Sequence, residues 1–424
     1  MTTLDLKQTQ ISSAIDLFSK GEISQALDAV QDLLKDYPNE PVLFNIKGAC
    51  YADLGQLDVA VTNYKEAITI KPDYAKAHFN LAGSLHDLGQ LETAVQSYQK
   101  AIEIDASYAE AYNNLGNVYQ ELKQVDSAVN SYKMALEIKP DYVAAQYSLG
   151  NTFMELGQLE EAVKSYKAAL KLKPDFAGAY NKLGNVFKDL EQIDSAVKSY
   201  KKALEIKPDY VAAQYSLGIM FQDLGQFEAA IKCYEMVLAI KPDFEEAHNN
   251  LGVAFLNLNQ FDEAVKSYKA AIKIKPDFVE AINNLGIGFF NLSQMEDAIK
   301  CYEKAIAIQP GFVKAHNNLG NALMESELLE EAVKSYKVAL KLEPEFVEAI
   351  NNLGITFYKL HQLDDAMSWY ERALVFDPGF ADAHNNIGAV FLELGQFDEA
   401  VKSYKAALKL KPDFVEAINN LGIT

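Results

Sequence analysis

The sequence predicts an all-α solenoid of 34-residue helix–turn–helix units. Three observations carry that expectation. The stretch FDEAVKSYKAAIKIKPDFVEAINNLG at 261–286 returns at 397–422 with only Ile272 and Ile274 changed, to Leu408 and Leu410. A looser copy at 329–354 lies between them, and the three copies are 68 residues apart. Prolines recur every 34 residues: Pro38, Pro72, Pro140, Pro174, Pro208, Pro242, Pro276, Pro310, Pro344, Pro378 and Pro412, with Ala106 in the one slot between Pro72 and Pro140. Self-similarity at this period means stacked supersecondary units. Proline inside a helix costs about 3 kcal/mol, so each one marks a boundary.

With that proline at position 32 of the unit, full units begin at 41, 75, 109, 143, 177, 211, 245, 279, 313, 347 and 381. The expected organisation is a disordered N-terminus over 1–6, a degenerate capping repeat at 7–40, eleven units over 41–414, and an incomplete first helix of a further repeat at 415–424. Each unit contacts mainly its neighbours, so 424 residues need not mean several globular domains.

The first helix of each unit, helix A, is expected to start just after position 33. The residue there is usually Asp, where an N-cap belongs. Glu follows three residues later in Ser107/Glu110, Asp243/Glu246, Asp277/Glu280 and Asp413/Glu416, the pattern of a capping box. Helix A should run to about position 14, where Gly55, Gly89, Gly157, Gly225 and Gly395 supply a stop. Helix B opens with an acid at position 18 and usually closes with Lys at 31, both matching the helix dipole. Position 8 is Gly in every full unit except at Ala82, although a mid-helix Gly costs roughly 0.5–1 kcal/mol. Position 20 is always Ala, position 24 always Tyr, and position 27 Ala except at Val237. Small residues on one helix are therefore expected to receive aromatic ones from another.

Leu or Ile at position 7, Gly or Ala at 8, Tyr or Phe at 11, Ala at 20, Tyr at 24, Ala at 27 and Pro at 32 together resemble the tetratricopeptide repeat, over residues 7–424. Position 4 departs from it: where the family often has Trp, this chain has His78, Gln146, Ile282 or similar. The resemblance implies a right-handed α-solenoid superhelix, with helix A lining the inner groove and helix B outside.

Composition bounds the function. Apolar residues make up 49%, enough for a continuous core. The net charge of -20, from 39 basic and 59 acidic residues, argues against nucleic acid or an anionic membrane as the main partner. Cys50, Cys233 and Cys301 are far apart and lack metal-ligand spacing, so they read as small helix residues. No signal-peptide pattern opens the chain, and no apolar run approaches the roughly 20 residues of a membrane span. The expectation is a cytoplasmic protein without membrane insertion.

No catalytic constellation is legible, and neither a cofactor nor a metal is expected. His248, His316 and His384 share position 4 and lie two units apart, which reads as duplication of a packing residue rather than convergence on an ion. The chain is expected not to be an enzyme by itself.

The informative stripe is on the other face of helix A, at positions 2, 5, 6, 9, 12 and 13. Asn is a poor helix former. Yet position 6 is Asn80, Asn114, Asn250, Asn284, Asn318, Asn352, Asn386 and Asn420, usually preceded by a second Asn, with a break at Ser148, Lys182 and Ser216. One amide per repeat could grip a peptide backbone. This is similar to the asparagine ladder of the repeat superhelix in O-GlcNAc transferase-like glycosyltransferases, which implies the same role for these residues. The alternative is that the amides bond neighbouring helices or water. Asn117, Asn151 and Asn185 at position 9 join the expected peptide-binding groove early in the chain, and Ile287, Phe290 and Tyr358 join it later. Position 13 is acidic early, at Asp53, Asp87, Glu121, Glu155, Asp189 and Asp223. The groove should thus pass from polar and negative to apolar.

Residues 415–424 repeat 347–356 residue for residue. They stop short of a complete helix A, so the sequence is expected to be a fragment of a longer protein, or its last helix to pack on another molecule, including self-association. The leading expectation is a scaffold that binds an extended peptide or protein segment in its groove. The alternative is the substrate-recruiting arm of a larger enzyme resembling O-GlcNAc transferase, its catalytic domain beyond residue 424.

Overall fold

The computed structural model describes the backbone from Thr3 to Thr424 and side chains from Lys7. Among the described residues there are 25 α-helices and no strand. Helix A opens at position 1 of every unit, as in Ala75–Asp87 and Val279–Asn291, and spans 13 residues. Helix B spans 14, as in Leu91–Ile104 and Met295–Ile308. The chain is an all-α solenoid of the expected period. It divides into two compact units, residues 1–213 and 214–424.

Within each compact unit, helix A packs on its own helix B, and helix B packs on the next helix A. Successive helices A also touch one another, whereas successive helices B do not among the described residues. Each stack therefore closes up on its helix-A side, which makes that side the inner face.

The small residues do what their cost implied. A Cβ built on Gly252 would lie 2.5 Å from Cε1 of Tyr268, and one on Gly286 would lie 2.5 Å from Cε1 of Tyr302. The position-24 tyrosine lies flat on the glycine backbone of its own unit. Ala264 and Ala271 beside it are fully buried, as are their equivalents. A larger side chain at any of these sites overpacks the contact, at a cost of about 1–3 kcal/mol.

Two expectations about helix ends are corrected. The N-cap is not the acid at position 33 but the aromatic at 34. Tyr108, Phe244, Phe278 and Phe414 hold that place, and none of their side chains caps the helix. The capping boxes therefore do not form. Ser107 instead bonds Asp105 through its hydroxyl at 2.6 Å. The aromatic is kept for packing: Lys241 Nζ sits 4.6 Å from the centre of the Phe244 ring, and Lys411 Nζ 4.8 Å from that of Phe414. Where position 31 is Lys, it is thus both the C-cap of helix B and a cation over the next turn. The second correction concerns 1–6. The backbone is helical from Thr3, in the helix Thr3–Ser19, and residues 1 and 2 lie outside the described residues.

The turn after helix A always uses a left-handed residue. Gly55, Gly89, Gly157, Gly225 and Gly395 supply it with φ near +70°, as expected. In the other six units Lys123, Glu191, Asn259, Ser293, Glu327 and His361 adopt φ of 57–60°. The turn geometry overrides residue preference there, against a penalty of about 1–2 kcal/mol for an L-residue.

The position-4 histidines lie in helix A and reach back to the turn before it. His248 Nε2 lies 2.9 Å from the carbonyl oxygen of Pro242, and His316 and His384 meet Pro310 and Pro378 in the same way. With Nε2 protonated, each ring donates to the proline carbonyl that ends the preceding helix B. Burial pushes the Cys50 and Cys301 thiols up to about 11, so both stay protonated at neutral pH.

Candidate functional site

The inner face of each compact unit is the candidate interaction surface. In residues 214–424 its floor is an amide zipper. The buried Asn at position 5 of one unit accepts a hydrogen bond from the Asn at position 6 of the next. Asn284 Nδ2 donates to Asn249 Oδ1 at 3.0 Å, Asn318 to Asn283 at 3.0 Å, Asn386 to Asn351 at 3.0 Å, and Asn420 to Asn385 at 3.1 Å. Asn352 donates to Asn321 at 3.0 Å and to Asn317 at 3.5 Å. Asn250 donates to the Tyr215 hydroxyl at 2.9 Å. The position-5 asparagines are nine-tenths or more buried. Asparagine therefore occupies the middle of these helices because each pair stitches adjacent repeats together.

This is the bonding between neighbouring helices that the sequence left open as the alternative. One amide proton of each position-6 Asn is committed between repeats, and the side chains of Asn250 and Asn386 also accept from Asn249 and Asn385. Asn284, Asn318 and Asn420 each keep a second Nδ2 hydrogen and the carbonyl oxygen for a ligand. Removing Asn284 or Asn318 would also strand a buried acceptor, Asn249 or Asn283.

Residues 1–213 solve the same problem differently. Asn80 donates to Asn45 at 3.0 Å, but Asn114 has Phe79 in place of the preceding acceptor. It accepts instead from Asn113 Nδ2 at 3.1 Å. Where Ser148 replaces the next position-6 Asn, Asn113 Oδ1 is left buried with no hydrogen-bond partner. Asn117, Asn151 and Asn185 are also tied inward: their Oδ1 atoms accept from the hydroxyls of Tyr132, Tyr166 and Tyr200 at 2.8, 2.7 and 2.9 Å. They orient the packing tyrosine and offer a ligand only their Nδ2 groups.

The predicted change in character along the chain is partly visible. His86 Nε2 meets Glu121 at 2.7 Å, and Gln120 donates to Glu155 at 3.2 Å, so the early acids lie along the inner face. In residues 214–424, Ile287, Phe290 and Asn318 are brought together with Asn291, Tyr302 and Asn321 around a cavity of about 250 Å³. Tyr358 lies two units further on; burial and a hydrogen bond to Glu393 push its hydroxyl up to about 12.

The sequence reading missed one part of the surface. Ile15, Phe18, Val42, Ala49 and Ala52 line a second and larger cavity at the N-terminal end of the inner face. The signal was available: Ile15 and Phe18 hold positions 9 and 12 of the degenerate unit, which was read only as a cap.

Among the described residues no cluster of His, Cys, Asp and Glu could hold a metal ion, and no helix is long and apolar enough to cross a membrane.

Comparison with known proteins bears on this surface. A family model described as TPR repeat matches residues 48–259 in overlapping segments and, likewise, 288–395. A model described as tetratricopeptide repeat matches 245–278 and 381–414. The peroxisomal targeting signal receptor of Saccharomyces cerevisiae is 27% identical over 84 residues, which are 20% of this chain and 14% of that protein. Its Candida glabrata counterpart is 29% identical over 75 residues, 18% of this chain and 13% of that protein. The chain thus matches only a small part of either relative. The crystal structure of the APC/C hetero-tetramer Cut9–Hcn1 aligns over 100% of this chain and 96% of that one, with a TM-score of 0.51 and 14% identity. That likeness concerns the fold alone.

Proposed function

Because this chain belongs to the tetratricopeptide repeat family and is a protein-binding scaffold, we propose that its ligand is an extended peptide segment laid along the inner face of helix A. The observation that carries this is the cavity at Ile287, Phe290, Asn291, Tyr302, Asn318 and Asn321. It combines an apolar wall with the amide of Asn318, one of whose Nδ2 hydrogens is committed to Asn283 while its carbonyl oxygen stays free. Such a mixture suits a peptide: an apolar side chain enters, and a backbone N–H meets the free amide oxygen. The acid row at Asp53, Asp87, Glu121 and Glu155 favours basic character in the part of the segment bound by residues 1–213. Nothing in this role requires a reaction, a cofactor or a metal, and the chain acts here as a non-enzymatic scaffold.

The reading of the chain as the recruiting arm of a larger glycosyltransferase rested on a ladder of free asparagines. One amide hydrogen of each is committed between repeats, so the row also has a structural role that needs no transferase.

The test is a random-peptide selection on the whole chain, followed by titration of a recovered peptide. I287K with F290K should weaken binding at least tenfold while the melting temperature holds. Unchanged affinity in that double variant would remove the proposal.

A further inference from the structure

The cavity at the N-terminal end has a volume of about 320 Å³, at the lower end of ligand pockets and suited to one side chain rather than a folded partner. It opens between the helices Thr3–Ser19 and Pro41–Asp53, and its walls are Ile15, Phe18, Ile46, Ala49, Ala52 and Tyr64. Its emptiness is written in the sequence. Ala49 and Ala52 hold positions 9 and 12, where one later unit has Asn117 and Gln120 and another has Ile287 and Phe290. Two methyl groups stand where other repeats place an amide or a large apolar side chain. A second cavity of about 270 Å³ shares Ile15 and Val42 with it, so the opening continues along the first helix. Ile15 is 43% exposed at the junction.

The charges at the mouth follow from the same substitution. At two steps in residues 1–213 the side chain at position 12 holds the acid at position 13 of the next unit: His86 holds Glu121, and Gln120 holds Glu155. In this register Ala52 stands opposite Asp87 and has nothing to offer it. Asp87 and Asp53 are both exposed and form no ion pair among the described residues. Lys76, also exposed, is the single cation lining the cavity. The alanine that makes room thus also releases a carboxylate.

We infer that this cavity is an anchoring socket for one large apolar side chain of the bound segment, with a lysine or arginine beside it reaching Asp53 and Asp87. The inference rests on the peptide-holding role proposed above and assigns it a specific anchor.

The probe is N-acetyl-Phe-Lys-amide, titrated into the whole chain carrying methyl-labelled alanine and read by NMR at Ala49 and Ala52. N-acetyl-Phe-Glu-amide and N-acetyl-Gly-Lys-amide are the comparators. The Phe-Lys probe should shift both methyls saturably, about 2- to 5-fold more tightly than Phe-Glu at low salt. Gly-Lys should leave them unmoved. A52F should abolish the shift at Ala49, and D53N with D87N should equalise Phe-Lys and Phe-Glu while keeping both bound. If A52F fails to fold, A49V provides a smaller fill, and the double Asn variant tests the charges without altering packing. The socket is refuted if the methyls do not move, if the filled variants bind equally well, or if Phe-Glu matches Phe-Lys. Because the readout is confined to Ala49 and Ala52, such a failure is distinct from failure of peptide binding at Ile287 and Phe290.

Discussion

The two compact units carry the same repeat but use two kinds of inner-face bond in different proportion: Asn80 to Asn45 is the inter-repeat kind in the first, and Tyr336 to Asn321 is the within-repeat kind in the second. In residues 214–424 the asparagines bond chiefly from one repeat to the next, as in Asn284 to Asn249 and Asn318 to Asn283. In residues 1–213 asparagines at a different position bond within a repeat, accepting from Tyr132, Tyr166 and Tyr200. Where position 9 is Val253, the matching Tyr268 hydroxyl is buried and unpaired. One residue type therefore serves two purposes, and its place in the repeat decides which. The face stitched between repeats leaves apolar side chains for a ligand, while the face stitched within repeats leaves acids.

The largest expected effect separates the two chemistries. Combining N284A, N318A and N352A strands buried acceptors at about 1–3 kcal/mol each. The single tryptophan, Trp369, lies within residues 214–424, so its fluorescence reports on that half. The denaturation midpoint by Trp369 should fall sharply in this variant and stay put in N117A with N151A. Equal midpoints in all three proteins would mean that the zipper contributes nothing.

Alkaline pH should attack both faces alike. Burial raises the position-24 tyrosines above the ordinary value of 10, with Tyr98 pushed up to about 12 and Tyr132, Tyr166 and Tyr268 raised further. The folded chain keeps these protons while the unfolded chain releases them. The stabilisation is complete below pH 10 and is lost as pH climbs from there toward the raised values. Each such tyrosine should contribute a slope of about 1.4 kcal/mol per pH unit. A denaturation series between pH 9 and 11.5 that stayed flat would contradict the burial of these hydroxyls.

A smaller effect isolates the tyrosine hydroxyl. Y166F should cost about 1 kcal/mol because it strands Asn151, whereas Y268F removes an unpaired polar atom and should be neutral or slightly stabilising. Similar losses in both would erase the distinction. The smallest effect is a repair: S148N offers Asn113 Oδ1 the donor that other repeats provide and should add about 1 kcal/mol. If thermal unfolding of S148N matches the parent, the buried acceptor is satisfied by some other means.

Most of the fold was legible because the determinants are local and repeated. Pro at position 32, Gly at 8 and Tyr at 24 place every helix, and the structure adds only why the glycine is needed. The helix start was misread because position 33 has the chemistry of a cap, while the backbone begins its first turn one residue later, at Phe278 or Tyr108. The site was less legible. Asparagines on a helix face look the same whether they point at a ligand or at the next repeat, and only the 35-residue span from Asn249 to Asn284 reveals the second. The N-terminal cavity was missed because it is made of what is small: Ala49 and Ala52 give no signal until the neighbouring rows show what else could stand there.

The amide zipper has a direction. Its bonds run from position 6 of a later repeat back to an earlier one, to position 5 at Asn249, Asn283, Asn351 and Asn385 and, for Asn352, more closely to Asn321 at position 9. Excising residues 279–312 would set Asn318 against Asn249, a pairing chemically identical to the one it replaced. Repeat number can therefore change by duplication or loss without any new interface having to be invented. The length of segment that such a groove can hold is free to vary, while the chemistry that holds the groove together does not.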